Sequence, residues 1–354
     1  ERHLTLGPEY GRSGQFRVEG SEYLIEPAMA LDDPNVREVV CQFAARMGKN
    51  LLMEGRIAQV VTRDSGNVLF YSNTQDMANV FVEQRLFRDI RDLPILTPLW
   101  PSGFRHQKAQ RKTEAILPHM SILPLGANES GLQSKMARHV MCDEVHLFDL
   151  GMLGQARKRA DDFWDGKVFV ISTAGDEGGD MANAFLRGTQ ELWHIGCPEC
   201  KRLVKLTWSE KPRRIQWESN EVTHPAGKGW NMKEAMKTVR FVCPHEGCNA
   251  EFKDAPDVRR EMNRLGGYVV TNHDAVENAR SFQASQIAAP DVPWTTIAED
   301  WILAMERLSS GDKVSLRDFI IRRMAETWKI LERENKEMRI SGGYELGDEK
   351  WAAE

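Results

Sequence analysis

Short runs of apolar residues alternate along the chain with longer stretches in which apolar and polar residues recur at helical spacing. The short runs predict strands, and the longer stretches predict amphipathic helices. Strands that alternate with helices in this way are typical of a mostly parallel sheet covered by helices on both faces. The pattern therefore predicts an α/β fold for most of the chain.

The predicted strands are residues 38–43, 67–72, 115–125 (a strand pair or one bent strand), 139–144, 167–172, 267–271 and 281–287. The predicted helices are residues 23–31, 50–62, 74–93, a helical segment from 145 to about 163, 180–190, 293–308 and 315–333. Thr74 is expected to cap the helix that begins beside it, and Pro94 is expected to end that helix.

Composition is that of an ordinary globular protein, with one restriction on nucleic-acid binding. The chain has 354 residues, of which 41% are apolar and 28% charged, and this length suits two domains or one large domain with an insertion. No apolar run is long enough to cross a bilayer, and no signal-peptide pattern opens the chain. The net charge of −5 disfavours a protein that only coats nucleic acid, so we expect any DNA contact to be local.

A loop with the features of a phosphate-binding loop follows the strand at 38–43. Its residues are Ala44, Ala45, Arg46, Met47, Gly48, Lys49 and Asn50. Between a strand and a helix, backbone N–H groups surround phosphates, and Lys49 would neutralise charge on the β- and γ-phosphates. The leading glycine is missing, and Asn50 replaces the hydroxyl residue that normally meets Mg²⁺, although its carbonyl oxygen can also bind metal. The alternative is a surface Gly–Lys turn.

Paired acids, Asp143 and Glu144, stand where the strand at 139–144 would leave the sheet. In P-loop nucleotide hydrolases, one acid at this position holds Mg²⁺ and the next polarises the attacking water. The alternative is a solvated acidic turn. The phosphate-binding loop in the same strand–turn context, about a hundred residues earlier, favours a nucleotide site.

Further polar residues near these strands are candidates for supporting roles. Ser172 and Thr173 end the next strand and would sense the γ-phosphate, or would simply cap a helix. Arg46 and Arg138 are candidate stabilisers of phosphate charge, with Arg138 facing a neighbouring subunit; the alternative for each is a surface arginine. A basic cluster is a candidate contact to a nucleic-acid backbone, or a solvated loop. The cluster comprises Arg105, Lys108, Arg111 and Lys112.

Four of the six cysteines form two close pairs. The pairs are Cys197 with Cys200 and Cys243 with Cys248, and each opens with Cys-Pro. Four thiolates in two knuckles predict a structural zinc ribbon, with all metal positions filled by protein. His194 and His245 are near enough to act as ligands, but we expect them to be bystanders. Cys41 and Cys142 lie in apolar runs and are expected to be buried free thiols.

Taken in order, these motifs resemble the large terminase subunits of tailed phages, in the lambda-like branch. The resemblance extends over nearly the whole chain. The segments that support it are the arm with Tyr23 and Leu24, the loop at 44–50, YSNTQDMANVF at 71–81, LGANESGLQSKMARHVMCDEV at 125–145, STAGD at 172–176, the CPEC and CPHEGC knuckles, and RSFQASQIAAPDVPW at 280–294.

The resemblance implies an ATPase motor of the RecA-like, ASCE type of P-loop fold, which pumps viral DNA into a capsid. The implied ligands are ATP, Mg²⁺ and Zn²⁺. The implied partners are double-stranded DNA, the portal protein and a small terminase subunit, with the motor acting as a homo-oligomeric ring in the host cytoplasm. Carried over by motif, Lys49 binds phosphate, Asp143 holds Mg²⁺, Glu144 activates water, and Ser172 and Thr173 couple hydrolysis to movement.

The predicted domain order is an ATPase core with an arm at 1–190, a zinc-ribbon insertion at 191–255, and the last strands and helices of the motor at 256–354. The family also has a carboxy-terminal nuclease with clustered metal-binding acids. The acids after residue 344 form a tail rather than such a set. We therefore expect this chain to be the motor without its nuclease, either as a trimmed piece or as a natural split.

Two alternatives remain open at this point. Asp143 to His146 spells the DExH box of helicases, although such helicases need a second RecA-like domain with an arginine-rich motif that is not evident after residue 255. The other alternative is a zinc-ribbon nucleic-acid-binding protein whose nucleotide site is inactive. Asn50, in place of the expected hydroxyl residue, is compatible with that alternative.

Overall fold

The computed structural model describes residues 5–6, 14–90, 93–99, 110–111, 114–133, 135–225, 227 and 229–329. In chain order the strands are β1 (Thr5–Leu6), β2 (Gly14–Gln15), β3 (Glu38–Phe43), β4 (Val68–Ser72), β5 (Gln110–Arg111), β6 (Glu114–Ile116), β7 (Ser121–Gly126), β8 (His139–Asp143), β9 (Lys167–Ser172), β10 (Glu191–Gly196), β11 (Leu203–Lys205), β12 (Ile215–Gln216), β13 (Arg240–Val242), β14 (Glu251–Lys253), β15 (Gly267–Val269) and β16 (Ala279–Ala284).

The α-helices are α1 (Ile25–Asp32), α2 (Lys49–Thr62), α3 (Gln75–Phe81), α4 (Met152–Arg157), α5 (Asp180–Arg187), α6 (Met232–Lys237), α7 (Pro256–Arg264), α8 (Trp294–Ser309) and α9 (Val314–Asp318). π-Helical turns continue α3 over Val82–Ile90 and α9 over Phe319–Arg323. Short 3₁₀ turns span Glu22–Leu24, Thr97–Leu99, Val145–Leu147, Lys158–Ala160 and Gln286–Ala288. Among the described residues, no helix is long and apolar enough to span a bilayer.

The large sheet has a parallel centre and antiparallel edges. Its strand order is β11-β10-β16-β3-β9-β8-β4-β7-β6-β5, and β15 also pairs with β10. The strands from β10 to β7 in this order run parallel, whereas β11, β15, β6 and β5 join antiparallel. Because β9 lies between β3 and β8, the carboxyl ends of these three strands are adjacent at one edge of the sheet.

Alternate residues of the central strands point into two hydrophobic cores, one on each face. In β9, Phe169 and Ile171 belong to one core, and Val168 and Val170 belong to the other. The first core also contains residues of α1, α2 and α8, and the second contains residues of α4 and α5. Every residue of β3, β4 and β9 is buried, which explains why these strands are continuous apolar runs. The predicted mostly parallel α/β fold is confirmed.

Most of the predicted elements match the structure to within a few residues at each end. The segment at 115–125 is a hairpin of β6 and β7. Thr74 caps α3 as predicted, because its side chain accepts a hydrogen bond from the N–H of Met77 at 3.2 Å. The helix predicted from 145 to about 163 is instead two short 3₁₀ turns with α4 between them.

The helix predicted over residues 315–333 is wrong between residues 324 and 329, and residues 330–333 lie outside the described residues. The helical turns end at Arg323, and Ala325 then has a left-handed φ of 56°. Trp328 forms an isolated bridge with Asp176, in the loop after β9. Apolar spacing alone is compatible with a longer helix, but this segment instead contacts the loop after β9.

The cysteine-rich region is continuous with the large sheet at its start. β10 begins at Glu191, the predicted first residue of the insertion, and β10 pairs with β16 inside the large sheet. The later part of the region forms a separate sheet of three antiparallel strands, β12-β13-β14. Phe241 of this small sheet packs against Trp294 of α8, with ring centroids 5.5 Å apart.

Candidate functional site

The loop between β3 and α2 turns sharply and places Lys49, the first residue of α2, at the carboxyl edge of the sheet. Arg46 and Gly48 both have left-handed backbone, with φ of 62° and 73°. A Cβ atom at Gly48 would lie 3.1 Å from Cδ1 of Leu24. Glycine is therefore required both for the backbone conformation and for the close approach of the arm. Met47 is fully buried and fixes the loop in the core.

Lys49 contacts the acidic pair across the end of β9. Its Nζ lies 3.1 Å from Oε1 of Glu144, and its side chain is only 10% exposed. Asp143 is the last residue of β8 and pairs with Ile171 of β9. Glu144 leaves the ladder with a left-handed φ of 52°. The structure thus brings together the lysine and both acids, although they are far apart in the sequence.

The two neighbouring carboxyl groups have opposite electrostatic environments. Burial, followed by the charge of Glu144, raises the pKa of Asp143 to about 7. Burial also acts to raise the pKa of Glu144, but a hydrogen bond from His146 and the charge of Lys49 outweigh it and lower that pKa to about 2. Glu144 is therefore held as a carboxylate. Asp143 lies beside this fixed negative charge, which a divalent cation would offset.

His146 connects the acidic pair to Ser172 at the end of β9. Its Nδ1 lies 3.2 Å from Oε2 of Glu144 and 3.0 Å from Oγ of Ser172. The backbone N–H of His146 donates to the same Oγ at 3.0 Å. In the sequence, His146 stands out only as part of a DExH spelling, since no local pattern places it beside Ser172.

Thr173, the residue after Ser172, has a buried side-chain hydroxyl. It is 5% exposed, and its Oγ1 is buried with no hydrogen-bond partner in the part of the chain that the structure describes. A buried hydroxyl without a partner is costly, so a bound group that hydrogen-bonds to it would gain affinity.

A cavity of about 980 Å³ lies beside Lys49 and Glu144. From the predicted site, its lining includes Ala45, Arg46, Gly48, Lys49, Asn50 and Glu144. Its lining also includes Phe16, Arg17, Tyr23, Arg85, Pro290 and Val292. This volume is at the upper end of the range for small-molecule sites. Of the second group, Tyr23, Pro290 and Val292 lie in segments noted for the family resemblance, but none was predicted to line a site, because the residues come from separate elements with no shared motif.

The structure places Arg138 away from the candidate site of its own chain, and its predicted role toward a neighbouring subunit stays a prediction. Arg138 precedes β8, so it lies at the amino edge of the sheet, opposite Lys49 and Glu144. Its Nη2 lies 2.8 Å from Asp64 and 2.7 Å from Asp165. Two carboxylates at that edge therefore account for its charge. Arg46, by contrast, is exposed and lines the cavity.

The four predicted thiols converge on one point. Their Sγ atoms all lie within 4.8 Å of one another. The Sγ atoms of Cys197 and Cys248 are 3.8 Å apart, and those of Cys200 and Cys243 are 3.9 Å apart. Four thiolates around a tetrahedral zinc ion, with Zn–S bonds of about 2.3 Å, have sulfur atoms about 3.8 Å apart. The donor set and its spacing thus fit zinc.

The two nearby histidines differ in their surroundings. Nδ1 of His245 lies 3.5 Å from Sγ of Cys200 and 3.4 Å from Sγ of Cys243, close enough to hydrogen-bond to a thiolate. Nδ1 of His194 lies 2.9 Å from the backbone oxygen of Leu192.

Of the predicted basic cluster, Arg105, Lys108 and Lys112 lie outside the described residues, as does the side chain of Arg111.

The strand order and the carboxyl-edge cavity define a mostly parallel α/β domain with a ligand cleft at the end of its central strands. The chain matches the family described as phage terminase large subunit gpA, ATPase domain, over residues 11–266. The match covers more than half of the chain, and the protein belongs to this family.

Similar proteins include two curated phage terminases. The chain is 22% identical over 340 residues to the terminase large subunit of Escherichia phage lambda, covering 87% of this chain and 49% of that protein. It is 21% identical over 322 residues to the terminase large subunit of Enterobacteria phage P21, covering 83% of this chain and 46% of that protein. The chain therefore spans about half the length of these relatives.

Two solved structures are also similar. The large terminase ATPase domain of Thermus phage P74-26 matches with a TM-score of 0.45 and 12% identity, covering 84% of this chain and 92% of that chain. The large terminase of bacteriophage HK97 matches with a TM-score of 0.41 and 14% identity, covering 52% of this chain and 38% of that chain.

Proposed function

We propose that this chain hydrolyses ATP in the cavity beside Lys49 and uses the energy to move double-stranded DNA into a phage capsid. The observation that supports this most directly is the 3.1 Å contact between Lys49 and Glu144 at the carboxyl edge of the parallel sheet. Ligands of open α/β sheets bind outside the carboxyl ends of the strands, and the cavity lies there. Membership of the terminase ATPase family agrees with the same activity.

The phosphates of ATP would bind at the amino terminus of α2. The first N–H groups of a helix have no partner within the helix and favour negative charge, and Gly48 and Lys49 stand at this point. Arg46 on the cavity wall would add positive charge. The N–H of Ala45 is less available, because it donates to the backbone oxygen of Arg322 at 2.7 Å.

Asp143 and Asn50 would hold Mg²⁺. Carboxylate and amide oxygens are ligands that this ion accepts, and the negative charge crowded at the acidic pair favours a cation. When bound, Mg²⁺ neutralises charge on the β- and γ-phosphates. Asn50 is exposed on the cavity wall, so its amide oxygen is free to turn toward the phosphates.

Glu144 would orient the water that attacks the γ-phosphate. Its carboxylate is paired with Lys49 in this structure, and the same lysine is the group proposed to meet the phosphates. Nucleotide binding would therefore exchange one partner of Lys49 for another and leave Oε1 of Glu144 facing the reaction. Ser172 and the buried hydroxyl of Thr173 would report this change along β9.

The four clustered thiols would bind one structural Zn²⁺ and define a zinc-ribbon module within residues 191–255, between the ATPase core and the last motor elements. The close match of the sulfur spacing to a tetrahedral site supports this assignment. All ligand positions would come from protein, so the ion would stabilise the module and take no part in hydrolysis.

The resemblance to terminases extends the proposal to partners. The motor would act as a homo-oligomeric ring on the portal protein, in the host cytoplasm, with a small terminase subunit that helps to select viral DNA. The net charge of −5 agrees with a DNA contact that is local and transient.

ATP turnover with and without linear double-stranded DNA tests the proposal. We expect turnover that DNA stimulates and that Glu144→Gln reduces by roughly 10²–10⁴, the range for a positioned acid–base group. Nucleotide binding should survive in that variant because Lys49 and the loop are unchanged. Asp143→Asn should weaken Mg²⁺-dependent binding as well as turnover.

ATP turnover, combined with assays of strand separation and of movement along duplex DNA, separates the motor from the two alternative functions. Nucleotide binding without turnover at any DNA concentration would favour a nucleic-acid-binding protein with an inactive site. Separation of the strands of a forked duplex would favour a helicase. Movement along intact duplex without strand separation is the outcome expected of the motor.

A further inference from the structure

Among the described residues, the side chain of His146 contacts both Glu144, the proposed catalytic carboxylate, and Ser172, at the end of β9. It lies in the 3₁₀ turn Val145–Leu147, directly after the acidic pair. Its side chain is 12% exposed, and its Cβ lies 3.4 Å from where a Cβ on Gly175 would be. The imidazole is thus enclosed between the turn and the loop that follows β9.

The hydrogen-bond chemistry fixes which atom of His146 does what. An ionised carboxylate only accepts hydrogen bonds, so the Nδ1 atom that faces Oε2 of Glu144 must carry a hydrogen. Oγ of Ser172 accepts from the backbone N–H of His146 at 3.0 Å, which holds the turn and the strand end together. Nδ1 also lies 3.0 Å from Oγ of Ser172, so its hydrogen is shared between that hydroxyl and Oε2 of Glu144. The imidazole is therefore held against Glu144 from a position set by Ser172.

The backbone of Glu144 explains why such a donor is needed. Its φ of 52° and ψ of 43° are left-handed, a conformation that is unfavourable for a residue with a Cβ. Its N–H donates to the oxygen of Ile171 at 3.0 Å, which fixes the main chain but leaves the side-chain torsions free. Lys49 and His146 are the contacts that restrain the carboxylate, one at each oxygen.

Only one of these two contacts would be lost during the reaction. If Lys49 turns to the phosphates, as the proposed function requires, Oε1 of Glu144 loses its restraint while Oε2 keeps the one from His146. We propose that His146 is a positioning residue that holds the Glu144 carboxylate toward the attacking water after Lys49 has turned to the nucleotide, and that it ties this position to Ser172. This inference rests on the proposed role of Glu144 as the group that orients water.

The test compares His146→Ala with His146→Asn, in which the amide nitrogen can take the place of Nδ1. With His146→Ala we expect kcat for DNA-stimulated ATP hydrolysis to fall about 10- to 100-fold, the effect of misplacing a catalytic group by about 1 Å. KM and the affinity for a non-hydrolysable ATP analogue should stay within about twofold, because the phosphate loop is untouched. His146→Asn should recover most of kcat.

A double-mutant comparison separates positioning from a general structural effect. In a Glu144→Gln background, His146→Ala should cause no further loss of kcat, because the group that it positions has gone. Leu147→Ala is the matched control, since Leu147 lies in the same turn, is 51% exposed and contacts neither carboxylate oxygen in the described structure. Its kcat should equal that of the unmodified protein.

Three results would overturn the inference, and each is distinct from failure of the proposed function. A kcat for His146→Ala within about twofold of the unmodified protein would show that no positioning is needed. An equal loss in His146→Asn, or a loss confined to KM, would show that the residue acts through packing or binding. If Glu144→Gln itself hydrolyses ATP normally, the proposed role of Glu144 fails first, and this inference fails with it.

Discussion

Asp143 and Glu144 are adjacent in the chain, yet their side chains lie in different surroundings. The strand ladder ends at Asp143, and the left-handed backbone at Glu144 swings the second carboxylate toward Lys49 and His146. This geometry separates the two pKa values in opposite directions. Two acids whose environments differ in this way are suited to different tasks, one beside a cation and one beside a polarised water.

The other edge of the sheet has a buried titratable residue with no role in the proposed chemistry. His139 begins β8 and is 1% exposed. Its Nε2 lies 2.8 Å from the backbone oxygen of Asp64, and its Nδ1 lies 3.4 Å from Nη2 of Arg56. Burial, followed by the charge of Arg56, lowers the pKa of His139 to about 4, although the Asp64 contacts oppose this.

This shift predicts a pH dependence of stability. An unfolded histidine takes up a proton near pH 6.5, whereas folded His139 remains neutral until about pH 4. The unfolded state therefore binds more protons between these values, so stability falls as pH decreases through this window, by about 3 kcal/mol at most. His139→Gln removes this contribution, and its free energy of unfolding in urea should depend less on pH.

The exposed His273 provides the control. His273→Gln should keep the pH dependence of the unmodified protein between about pH 7 and about pH 4. If His139→Gln and the unmodified protein lose stability equally over that range, His139 does not titrate as inferred.

At the scale of the element, the glycine that precedes α2 and the glycine inside it have opposite requirements. Gly48 caps the helix with left-handed backbone and lies close to Leu24, whereas Gly55 is inside the helix with no atom within 4 Å of where its Cβ would be. The first glycine serves the loop, and the second only weakens the helix.

The two glycines therefore predict opposite effects of the same substitution. Gly48→Ala should destabilise the protein by about 1–2 kcal/mol, through left-handed strain, and should weaken ATP binding by distorting the loop. Gly55→Ala should stabilise it by about 0.5–1 kcal/mol, through reduced entropy of the unfolded chain. Chemical unfolding of both variants measures this, and a stable Gly48→Ala with normal ATP affinity would contradict the assignment of the loop.

We predict that the small three-stranded sheet depends on the cluster of four cysteines for its stability. We expect the purified protein to contain about one zinc ion per chain, and Cys200→Ser to lower this below about half an equivalent, with unfolding of the module. Cys41→Ala is the control, because Cys41 is buried in β3 away from the cluster. Elemental analysis measures the zinc content, and less than about half an equivalent of zinc per chain in the unmodified protein would count against the site.

At the scale of the whole molecule, the segment after α9 connects both loops of the nucleotide cleft. The N–H of Ala45 donates to Arg322 O at 2.7 Å, the N–H of Trp328 donates to Gly175 O at 3.0 Å, and the N–H of Glu177 donates to Trp328 O at 2.9 Å. One segment thus contacts the loop that holds Lys49 and the loop that follows Ser172.

Trp328 should therefore matter to the stability of the entire domain. It is 2% exposed, whereas Trp164 is 87% exposed. Trp328→Ala should lower the free energy of unfolding by about 3–5 kcal/mol, the usual cost of removing a buried tryptophan. Trp164→Ala should leave it unchanged within about 0.5 kcal/mol. Equal stability of the two variants would show that the segment does not hold the cleft together.

Much of this protein is determined by local sequence. The central strands are apolar runs because both of their faces are covered, and the loop at 44–50, the acidic pair and the two Cys-Pro pairs each have a spacing that indicates a particular chemistry. These features depend on neighbours within about ten residues, as helix and strand periodicity does. They were sufficient to predict the mostly parallel α/β fold and the candidate residues Lys49, Asp143 and Glu144.

The tertiary structure decided which side chains meet. The insertion of β9 between β3 and β8 brings Lys49 to Glu144 and His146 to Ser172, and it leaves Arg138 at the opposite edge with Asp64 and Asp165. Tertiary contacts also decided where the last helix ends, because the segment after it contacts the loop after β9 although its apolar spacing is helical. Local periodicity specifies how a segment folds, but the order of strands in the sheet determines which chain ends share an edge, and that order depends on contacts between residues far apart in the sequence.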